Sequence, residues 1–301
     1  MCRSGRLVGM SESGLLICDK PAGWTSHQVV GRVRRLMGTR KVGHAGTLDP
    51  MATGVLIIGV NRATRLLGHL ALHDKRYLAT IRLGMSTTTD DAEGESSGGA
   101  DASGLVREQV EAAIAPLRGV IMQRPSSVSA IKVNGQRAYK LVRDGEQVEL
   151  AAREVTVSRF DVTGLRVNGP YCDVDVDVEC SSGTYIRALA RDLGEALGVG
   201  GHLTMLRRTR IGGYDLDQLP VVNLDSDERP VLLGMADAAR RSFPVVQLDA
   251  EQAANVRFGR SLRLEVPANP TGLVDPADEL LGLYRPDVDD PGLARPVAVL
   301  V

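Results

Sequence analysis

Apolar and acidic residues alternate strictly from Cys172 to Cys180, and this pattern limits the fold of the 301-residue chain more than any other. Valines fill every second position between the two cysteines, and Asp or Glu fills the positions between them. Successive side chains of a β-strand point to opposite faces, so the pattern predicts a strand with a core face and a solvent face. Such a strand belongs to a sheet that is packed on one side only.

Other segments predict a chain that mixes strands with helices. Short apolar or alternating runs predict strands over residues 15–18, 55–60, 75–84 and 155–160. Apolar residues at helical spacing predict helices over residues 27–37, 62–72 and 106–115, and a fourth helix that begins after residue 184. Thr25 or Ser26 is the expected cap of the first helix, and Thr184 is the expected cap of the fourth.

One carboxylate, Asp49, lies in a glycine-rich loop that leads directly into the predicted strand over residues 55–60. Residues 43–54 read Gly-His-Ala-Gly-Thr-Leu-Asp-Pro-Met-Ala-Thr-Gly and contain no second acid. For a lone Asp-Pro, turn formation is the ordinary explanation. A loop with a defined backbone next to a rigid core strand is also where functional groups tend to be placed.

Charge is segregated along the chain, although the net charge is only −1. Residues 1–50 contain eight Lys or Arg and three acids, and residues 118–143 contain six Lys or Arg and no acid. Residues 86–115 contain seven acids and one Arg, and the polar part at 86–104 is predicted to be a flexible surface loop. A local basic surface is what phosphate binding requires, so the low net charge does not exclude a nucleic-acid ligand.

Cysteine spacing and hydropathy indicate in which cellular compartment the protein is expected. The four cysteines form no C-x-x-C pair, which argues against a zinc site, and reduced thiols in a cytoplasmic protein are the expected state. No apolar run approaches the length of a membrane span. Residues 1–12 are predicted to be a disordered leader without the apolar region of a signal peptide, and Met1 and Met10 are alternative starts.

The string Gly-His-x-Gly-Thr-Leu-Asp-Pro-x-Ala-Thr-Gly resembles the signature loop of the TruB-type tRNA pseudouridine synthases, in their bacterial stand-alone form. Further family motifs follow in the same order. They are Lys-Arg-Tyr at 75–77, a basic stretch at 118–147 that resembles the thumb loop, Gly-Thr-Tyr-Ile-Arg at 183–187 and Leu-Arg-Arg at 206–208. The ordered set is far more specific than any one motif.

The resemblance implies an α+β fold, with a mixed, mainly antiparallel central sheet flanked by helices. The implied catalytic domain covers residues 13–222 and includes the thumb-like insertion at 118–147. Residues 245–301 contain several short apolar runs and are expected to form a small β-rich, PUA-like C-terminal domain. That segment has nine acids and five arginines, so an RNA-binding role and a scaffold role both remain open.

The resemblance also implies the reaction, which isomerises uridine to pseudouridine at position 55 in the T arm of tRNA. The base is flipped from its stack, and Asp49 acts as a nucleophile at C1′ or C6. Arg187 is the implied counter-ion of Asp49, and Tyr77 is implied to stack on the uracil, although a core aromatic is its ordinary explanation. No cofactor and no metal are expected, and the enzyme is expected to be a cytoplasmic monomer.

The remaining residues expected to contact the substrate fall on the signature loop, the thumb-like insertion and the two later motifs, with one lysine ahead of the loop. They are Lys20, His44, Gly46, Thr47, Lys132, Arg137, Lys140, Tyr185, Leu206, Arg207 and Arg208. His44 is the expected wedge that replaces lost base stacking.

Three other functions compete with this one. A glycoside or nucleoside hydrolase generally needs two acids around the bond, and the signature loop supplies one. An RNA-folding protein with secondary catalysis predicts that an Asp49 mutant still binds and folds tRNA. A guide-RNA-dependent synthase shares the signature loop, but the thumb-like insertion and the lack of a long basic tail favour the stand-alone enzyme.

Overall fold

A computed structural model describes residues 12–126 and 150–301, together with two short strands between them at 132–133 and 136–137. The predicted leader, apart from residue 12, and Lys140 lie outside the described residues, as does most of the thumb-like insertion. The helices are α1 Ser26–Met37, α2 Leu67–Leu70, α3 Arg107–Ile114, α4 Ile186–Ala196, α5 Met235–Ser242 and α6 Ala250–Arg257, and 3₁₀ turns cover Asn61–Leu66 and Ala115–Leu117.

The strands range in length from two to 16 residues. They are β1 Gly14–Lys20, β2 Val42–Ala45, β3 Thr53–Val60, β4 Lys75–Leu83, β5 Ser86–Thr87, β6 Ser96–Gly98, β7 Gly119–Gln123, β8 Lys132–Val133, β9 Gln136–Arg137, β10 Arg153–Asn168, β11 Tyr171–Cys180, β12 Gly201–Ile211, β13 Tyr214–Asp215, β14 Val221–Val222, β15 Leu233–Gly234, β16 Val245–Gln247, β17 Leu262–Arg263, β18 Thr271–Val274, β19 Leu280–Pro286 and β20 Leu293–Val299.

The chain divides into two units, which are described separately. The first unit contains the residues up to Pro50, Gly54–Ala71 and Gly212–Val301, and the second contains Met51–Thr53 and Leu72–Ile211. The predicted domain boundaries at residues 222 and 245 stay a prediction.

In the first unit, β1 pairs with β3 in antiparallel register from Gly14 opposite Val60 to Lys20 opposite Gly54. Strand β14 adds to β1 in parallel, and β2 adds to β3 in antiparallel, so this sheet is mixed. Helix α1 packs the apolar stripe Val29, Val30, Val33 and Met37 against Leu16, Cys18, Leu56 and Ile58. The predicted cap is confirmed, because the Thr25 side chain accepts a hydrogen bond from the Gln28 backbone N–H in a capping box.

The C-terminal part of the first unit is rich in β-structure, as expected. Its strands lie in the order β16, β18, β19, β20 and β17. Leu248 and Val256 pack on Leu273, Leu281 and Tyr284 to give this sheet its own core.

In the second unit, β12, β4, β11, β10 and β7 form an entirely antiparallel series. Tyr77, Ala79, Ile81 and Leu83 are all buried on one face of β4, which confirms the predicted alternation. Helix α4 packs closely on β12, because a Cβ atom on Gly194 would collide with the Gly201 backbone. Glycine at that position permits this close approach.

The acidic face of β11 differs from the expected solvent face. Asp173 is 9% exposed and Asp177 is 7% exposed. Arg82 donates two hydrogen bonds of 2.8 Å to Asp173, and Arg76 donates bonds of 2.9 and 2.7 Å to Asp177. Both arginines project from the neighbouring strand β4, whose register places Arg82 directly opposite Asp173 and Arg76 opposite Glu179, two residues along β11 from Asp177. The hydrogen bonds from Arg76 lower the pKa of Asp177, so this face is a ladder of ion pairs.

Three local predictions were wrong. The predicted helix at 62–72 is a 3₁₀ turn followed by the four-residue α2. The predicted strand over residues 15–18 ends too early, since β1 continues through Lys20. Tyr185 is the N-cap of α4, and the Thr184 hydroxyl donates to the Ser181 carbonyl instead.

No helix in the described part of the chain is long and apolar enough to span a membrane.

Candidate active site

Asp49 lies in the loop between β2 and β3, and both of its neighbours are held through their backbones. The Leu48 N–H donates to the Ser26 hydroxyl at 3.0 Å, and that hydroxyl donates to the Leu48 carbonyl at 3.2 Å. The Pro50 carbonyl accepts hydrogen bonds from the Gly23 N–H at 2.8 Å and from the Lys20 ammonium at 3.1 Å. The carboxylate is therefore carried on a backbone fixed immediately before and after it.

Lys20 lies beneath this loop. Its side chain is fully buried, and the ammonium donates to the carbonyls of Pro21 at 2.9 Å, Trp24 at 2.5 Å and Pro50 at 3.1 Å. An ammonium has three N–H donors, and these three oxygens can accept from all of them. They also offset the cost of burying its charge. Lys20 therefore supports the Asp49 loop, while its contact with substrate stays a prediction.

The other predicted residues of the signature loop lie close to Asp49 in sequence and differ in exposure. His44 lies on β2, and its ring meets the ring of His27 edge-to-face, with centroids 5.5 Å apart and an interplanar angle of 80°. Gly46 has a φ of +73°, which favours glycine, and Thr47 is exposed. The loop thus presents one wedge candidate, His44, with a second imidazole against it.

In the second unit, Tyr77 lies on β4 between Val178 of β11 and Arg208 of β12. Leu206 and Arg208 lie on the same face of the sheet and are 7% and 1% exposed, whereas Arg207 points to the opposite face. Two predicted contact residues, Leu206 and Arg208, therefore lie on the same face as Tyr77.

Lys75 shares the buried face of Tyr77 and is 7% exposed. Its ammonium donates to the His73 carbonyl at 2.7 Å. Burial, with the nearby positive charge of Arg208 as the second cause, lowers the pKa of Lys75 to about 8. Lys75 and Arg208 are therefore two basic side chains buried on the same face as Tyr77.

Arg187 is the second residue of α4, and its guanidinium is buried. It donates to the Thr89 carbonyl at 3.0 Å and forms an ion pair with Asp91 at 3.3 Å, with side-chain exposures of 7% and 3%. A cation near a helix N-terminus is electrostatically unfavourable, and a nearby carboxylate offsets this cost. Asp91 is such a carboxylate, while the implied pairing of Arg187 with Asp49 stays a prediction.

Asp91 belongs to the segment that was predicted to be a flexible surface loop, and that prediction was wrong for this residue. The Thr89 hydroxyl and the Glu93 N–H donate to the Asp91 carboxylate at 2.5 and 3.0 Å. The Leu203 N–H donates to the Asp90 carbonyl at 3.0 Å, which ties the turn to β12. The turn is therefore an ordered part of the Arg187 environment.

Gln123 fixes the position of Tyr185. The Tyr185 N–H donates to the Gln123 side-chain oxygen at 2.8 Å, and the Gln123 amide donates back to the Tyr185 carbonyl at 3.1 Å. Gln123 is 2% exposed and ends β7, which lies at the start of the thumb-like insertion at 118–147. The start of α4 is thus joined to the base of that insertion.

Beyond residue 126, the structure describes only two short strands of the insertion. Lys132 of β8 pairs with Arg137 of β9 in an antiparallel hairpin. Lys140 lies outside the described residues, and the RNA-binding role of all three residues stays a prediction.

Sequence reasoning missed Ser26, Asp91 and Gln123 as residues that position the site. Ser26 was considered only as a helix cap, although Thr-Ser before a helix offers two hydroxyls and the cap needs one. Asp91 lay in a run of small polar residues that is typical of a loop. Gln123 carries no local signal, because its role depends on a partner far along the chain.

No group of three or more His, Cys, Asp or Glu among the described residues is arranged to hold a metal ion. The ring of His69 packs edge-to-face on Phe243, with centroids 6.5 Å apart.

Comparison with known proteins identifies the family. The N-terminal domain of the TruB family of pseudouridylate synthases matches residues 34–186, and the tRNA pseudouridylate synthase B C-terminal domain matches residues 187–228. A tRNA pseudouridine synthase B from Cutibacterium acnes is 60% identical over 291 residues, which are 96% of this chain and 99% of that protein. The protein of the same name from Rhodococcus jostii is 57% identical, over 92% of this chain and 91% of its own length.

Solved structures share the fold. The archaeal box H/ACA sRNP Nop10-Cbf5 complex contains a chain with a TM-score of 0.70 and 24% identity, covering 96% of this chain and 86% of its own. A chain of a Cbf5-Nop10-Gar1 complex has a TM-score of 0.68 and 27% identity, covering 91% of this chain and 78% of its own. These likenesses confirm the predicted α+β pseudouridine synthase fold. Together with the family matches, they establish that this chain is an enzyme of the TruB family of pseudouridylate synthases.

Proposed function

We propose that this enzyme isomerises the uridine at position 55 in the T arm of tRNA and needs no guide RNA. The name tRNA pseudouridine synthase B, carried by relatives 53–60% identical over nearly the whole chain, supports tRNA as the substrate. The five ordered motifs, one of which is the thumb-like basic stretch at 118–147, support a T-arm hairpin as the bound element.

Asp49 is the proposed nucleophile, and the observation that carries this assignment is the fixed backbone on either side of it. Isomerisation breaks the N1–C1′ bond, turns the uracil and joins C5 to C1′. A carboxylate that attacks C1′ or C6 stabilises the broken state covalently. Ser26, Gly23 and Lys20 hold Leu48 and Pro50, so little reorganisation of the loop is needed when the base enters.

Tyr77 and Arg187 are proposed to complete the chemistry. The Tyr77 ring offers a flat surface on which the flipped uracil can stack, and its hydroxyl can assist removal of the C5 proton, directly or through water. Arg187 is proposed as the counter-ion of the nucleophile. Asp91 and Thr89 hold the Arg187 guanidinium in one orientation, and they act as positioning residues.

A cytoplasmic enzyme fits the cysteine chemistry, and we propose separately that the enzyme is a monomer. Cys18, Cys172 and Cys180 are free and buried. Burial raises the pKa of Cys18 to about 12 and that of Cys180 to about 11, so both stay as unreactive thiols at neutral pH.

The test is to incubate purified protein with unmodified tRNA and with a T-arm hairpin, without any guide RNA, and to map pseudouridine by position. The proposal predicts conversion of a single uridine, at position 55, in both substrates. Conversion at another position, or conversion only after a guide RNA is added, would contradict it.

A further inference from the structure

The exposed side of helix α1 carries positive charge that the described fold leaves without acidic partners. Residues 25–42 contain no Asp or Glu. Arg34, Arg35, Arg40 and Lys41 are all exposed, and no carboxylate within residues 12–126 and 150–301 forms an ion pair with them. These four residues and His27 are called the α1 ridge.

Arg32, on the same helix, has a different environment. Its guanidinium donates to the carbonyls of Leu224 and Ser226 and to the Asp227 carboxylate, each at 2.8 Å. Its side chain is only 15% exposed. The fold therefore uses one arginine of α1 internally and presents the others outward.

Both ends of the α1 ridge adjoin the signature loop. At the start of α1, His27 packs its ring against His44, with centroids 5.5 Å apart. Beyond the end of α1, Arg40 and Lys41 lead directly into β2, which carries His44. A helix of 12 residues is about 18 Å long, so the ridge extends over that distance beside the loop.

Gly31 lies midway along α1. A Cβ atom built there meets nothing within 4 Å, so a side chain would project into open space. Glycine inside a helix costs about 0.5–1 kcal/mol relative to alanine, and no packing within the described fold requires it here. The position is therefore a suitable site for a probe of whatever contacts the ridge.

We propose that the α1 ridge binds the phosphate backbone of the RNA stem that carries the target loop. Guanidinium and ammonium groups without acidic partners attract phosphates of any sequence, and contacts of this kind fix the register of a duplex on a protein. Because the ridge is continuous with His44, it lies beside the signature loop, which is proposed to receive the target uridine. The inference rests on the proposed function, since it takes the T-arm stem as the ligand.

The test compares Gly31→Glu with Gly31→Gln. The two introduced side chains have nearly the same size and both are better helix formers than glycine, so both variants should melt at or above the wild-type temperature. The carboxylate introduced by Gly31→Glu would repel phosphates and would pair with Arg34 or Arg35 at helical spacing. We expect Gly31→Glu to weaken binding of a T-arm hairpin by about three- to tenfold at low salt, while Gly31→Gln binds as wild type does.

A second comparison counts phosphate contacts. Arg35→Gln and Lys41→Gln should each reduce the slope of log affinity against log salt concentration by about 0.7–0.9. Arg32→Gln makes the same change in net charge on the same helix, and its slope should stay at the wild-type value.

Equal hairpin affinity for Gly31→Glu and Gly31→Gln, with unchanged salt slopes for Arg35→Gln and Lys41→Gln, would overturn the inference. Conversion of the hairpin by the wild-type enzyme in the same experiment reports on the proposed function separately. If the wild-type enzyme converts the hairpin but the ridge variants bind it as the wild type does, only the inference about the α1 ridge is refuted. If the wild-type enzyme does not convert the hairpin, the proposed function itself is refuted.

Discussion

Arg187 and Asp91 form an ion pair in which both side chains are more than nine-tenths buried. The two residues are far apart in sequence, and the turn that carries Asp91 is bonded to the strand that contains Leu206 and Arg208. A buried guanidinium requires a compensating charge and acceptors, and here Asp91 and the Thr89 carbonyl provide both. The orientation of Arg187 therefore depends on a segment that contributes no predicted catalytic residue.

Replacing Asp91 by Asn should lower kcat by about a hundredfold, because Arg187 is no longer held in position, while hairpin affinity changes little. Breaking one side of a buried ion pair typically costs about 3–5 kcal/mol of stability, so the melting temperature should also fall. Single-turnover rates and thermal unfolding measure the two effects. Asp175→Asn is the control, because the Asp175–Arg166 pair is more exposed, and it should leave kcat near the wild-type value. An Asp91→Asn enzyme with wild-type kcat would refute the positioning role.

Ser26→Ala should reduce kcat more than a variant that is equally destabilised elsewhere in the same helix. The substitution leaves the buried Leu48 N–H and carbonyl without the Ser26 hydroxyl, at a cost of about 1–3 kcal/mol, and loosens the backbone beside Asp49.

Thr25→Ala is the matched control for that variant. It removes the cap of the same helix at a cost of about 1 kcal/mol. The Thr25 side chain accepts a hydrogen bond from the Gln28 backbone N–H, which belongs to the helix and not to the Asp49 loop. Urea unfolding and single-turnover kinetics should show similar destabilisation in both variants and a marked loss of kcat only in Ser26→Ala. Equal kcat values in the two variants would contradict this account of the loop.

Lys75 predicts a pH dependence of stability. Its pKa is about 8 in the folded state and 10.5 when unperturbed, so the unfolded chain binds more protons at this site between those pH values. Stability contributed by this site therefore rises with pH across that window, because the penalty for a buried charge is relieved. Lys75→Met lacks the penalty. Its advantage in free energy of unfolding over the wild type should shrink as pH rises from about 8 to about 10.5, as urea titrations can measure. An advantage that does not change with pH would contradict the buried-charge assignment.

Much of the fold could be predicted where the cause lies in local sequence. The Thr25 cap, the apolar stripe of α1 and the alternation in β4 and β11 all depend on neighbouring residues. The signature loop was found because many fixed positions stand together in it.

What could not be predicted depended on partners distant in sequence. The acids of β11 were expected in solvent, but the register with β4 places Arg76 and Arg82 opposite them. Asp91 became a buried partner of Arg187 because the backbone beside it bonds to Leu203. The family resemblance assigned Lys20 to the substrate, and only the fold reveals that its ammonium lies among three carbonyl oxygens.

The central claim is that Asp49 is the nucleophile, and single-turnover conversion of a T-arm hairpin by Asp49→Asn tests it most directly. Asparagine keeps the size of the side chain and removes its charge and its nucleophilic oxygen. The account predicts no detectable pseudouridine with Asp49→Asn, while the hairpin affinity stays within a few-fold of the wild-type value. Substantial pseudouridine formation by Asp49→Asn would contradict the assignment.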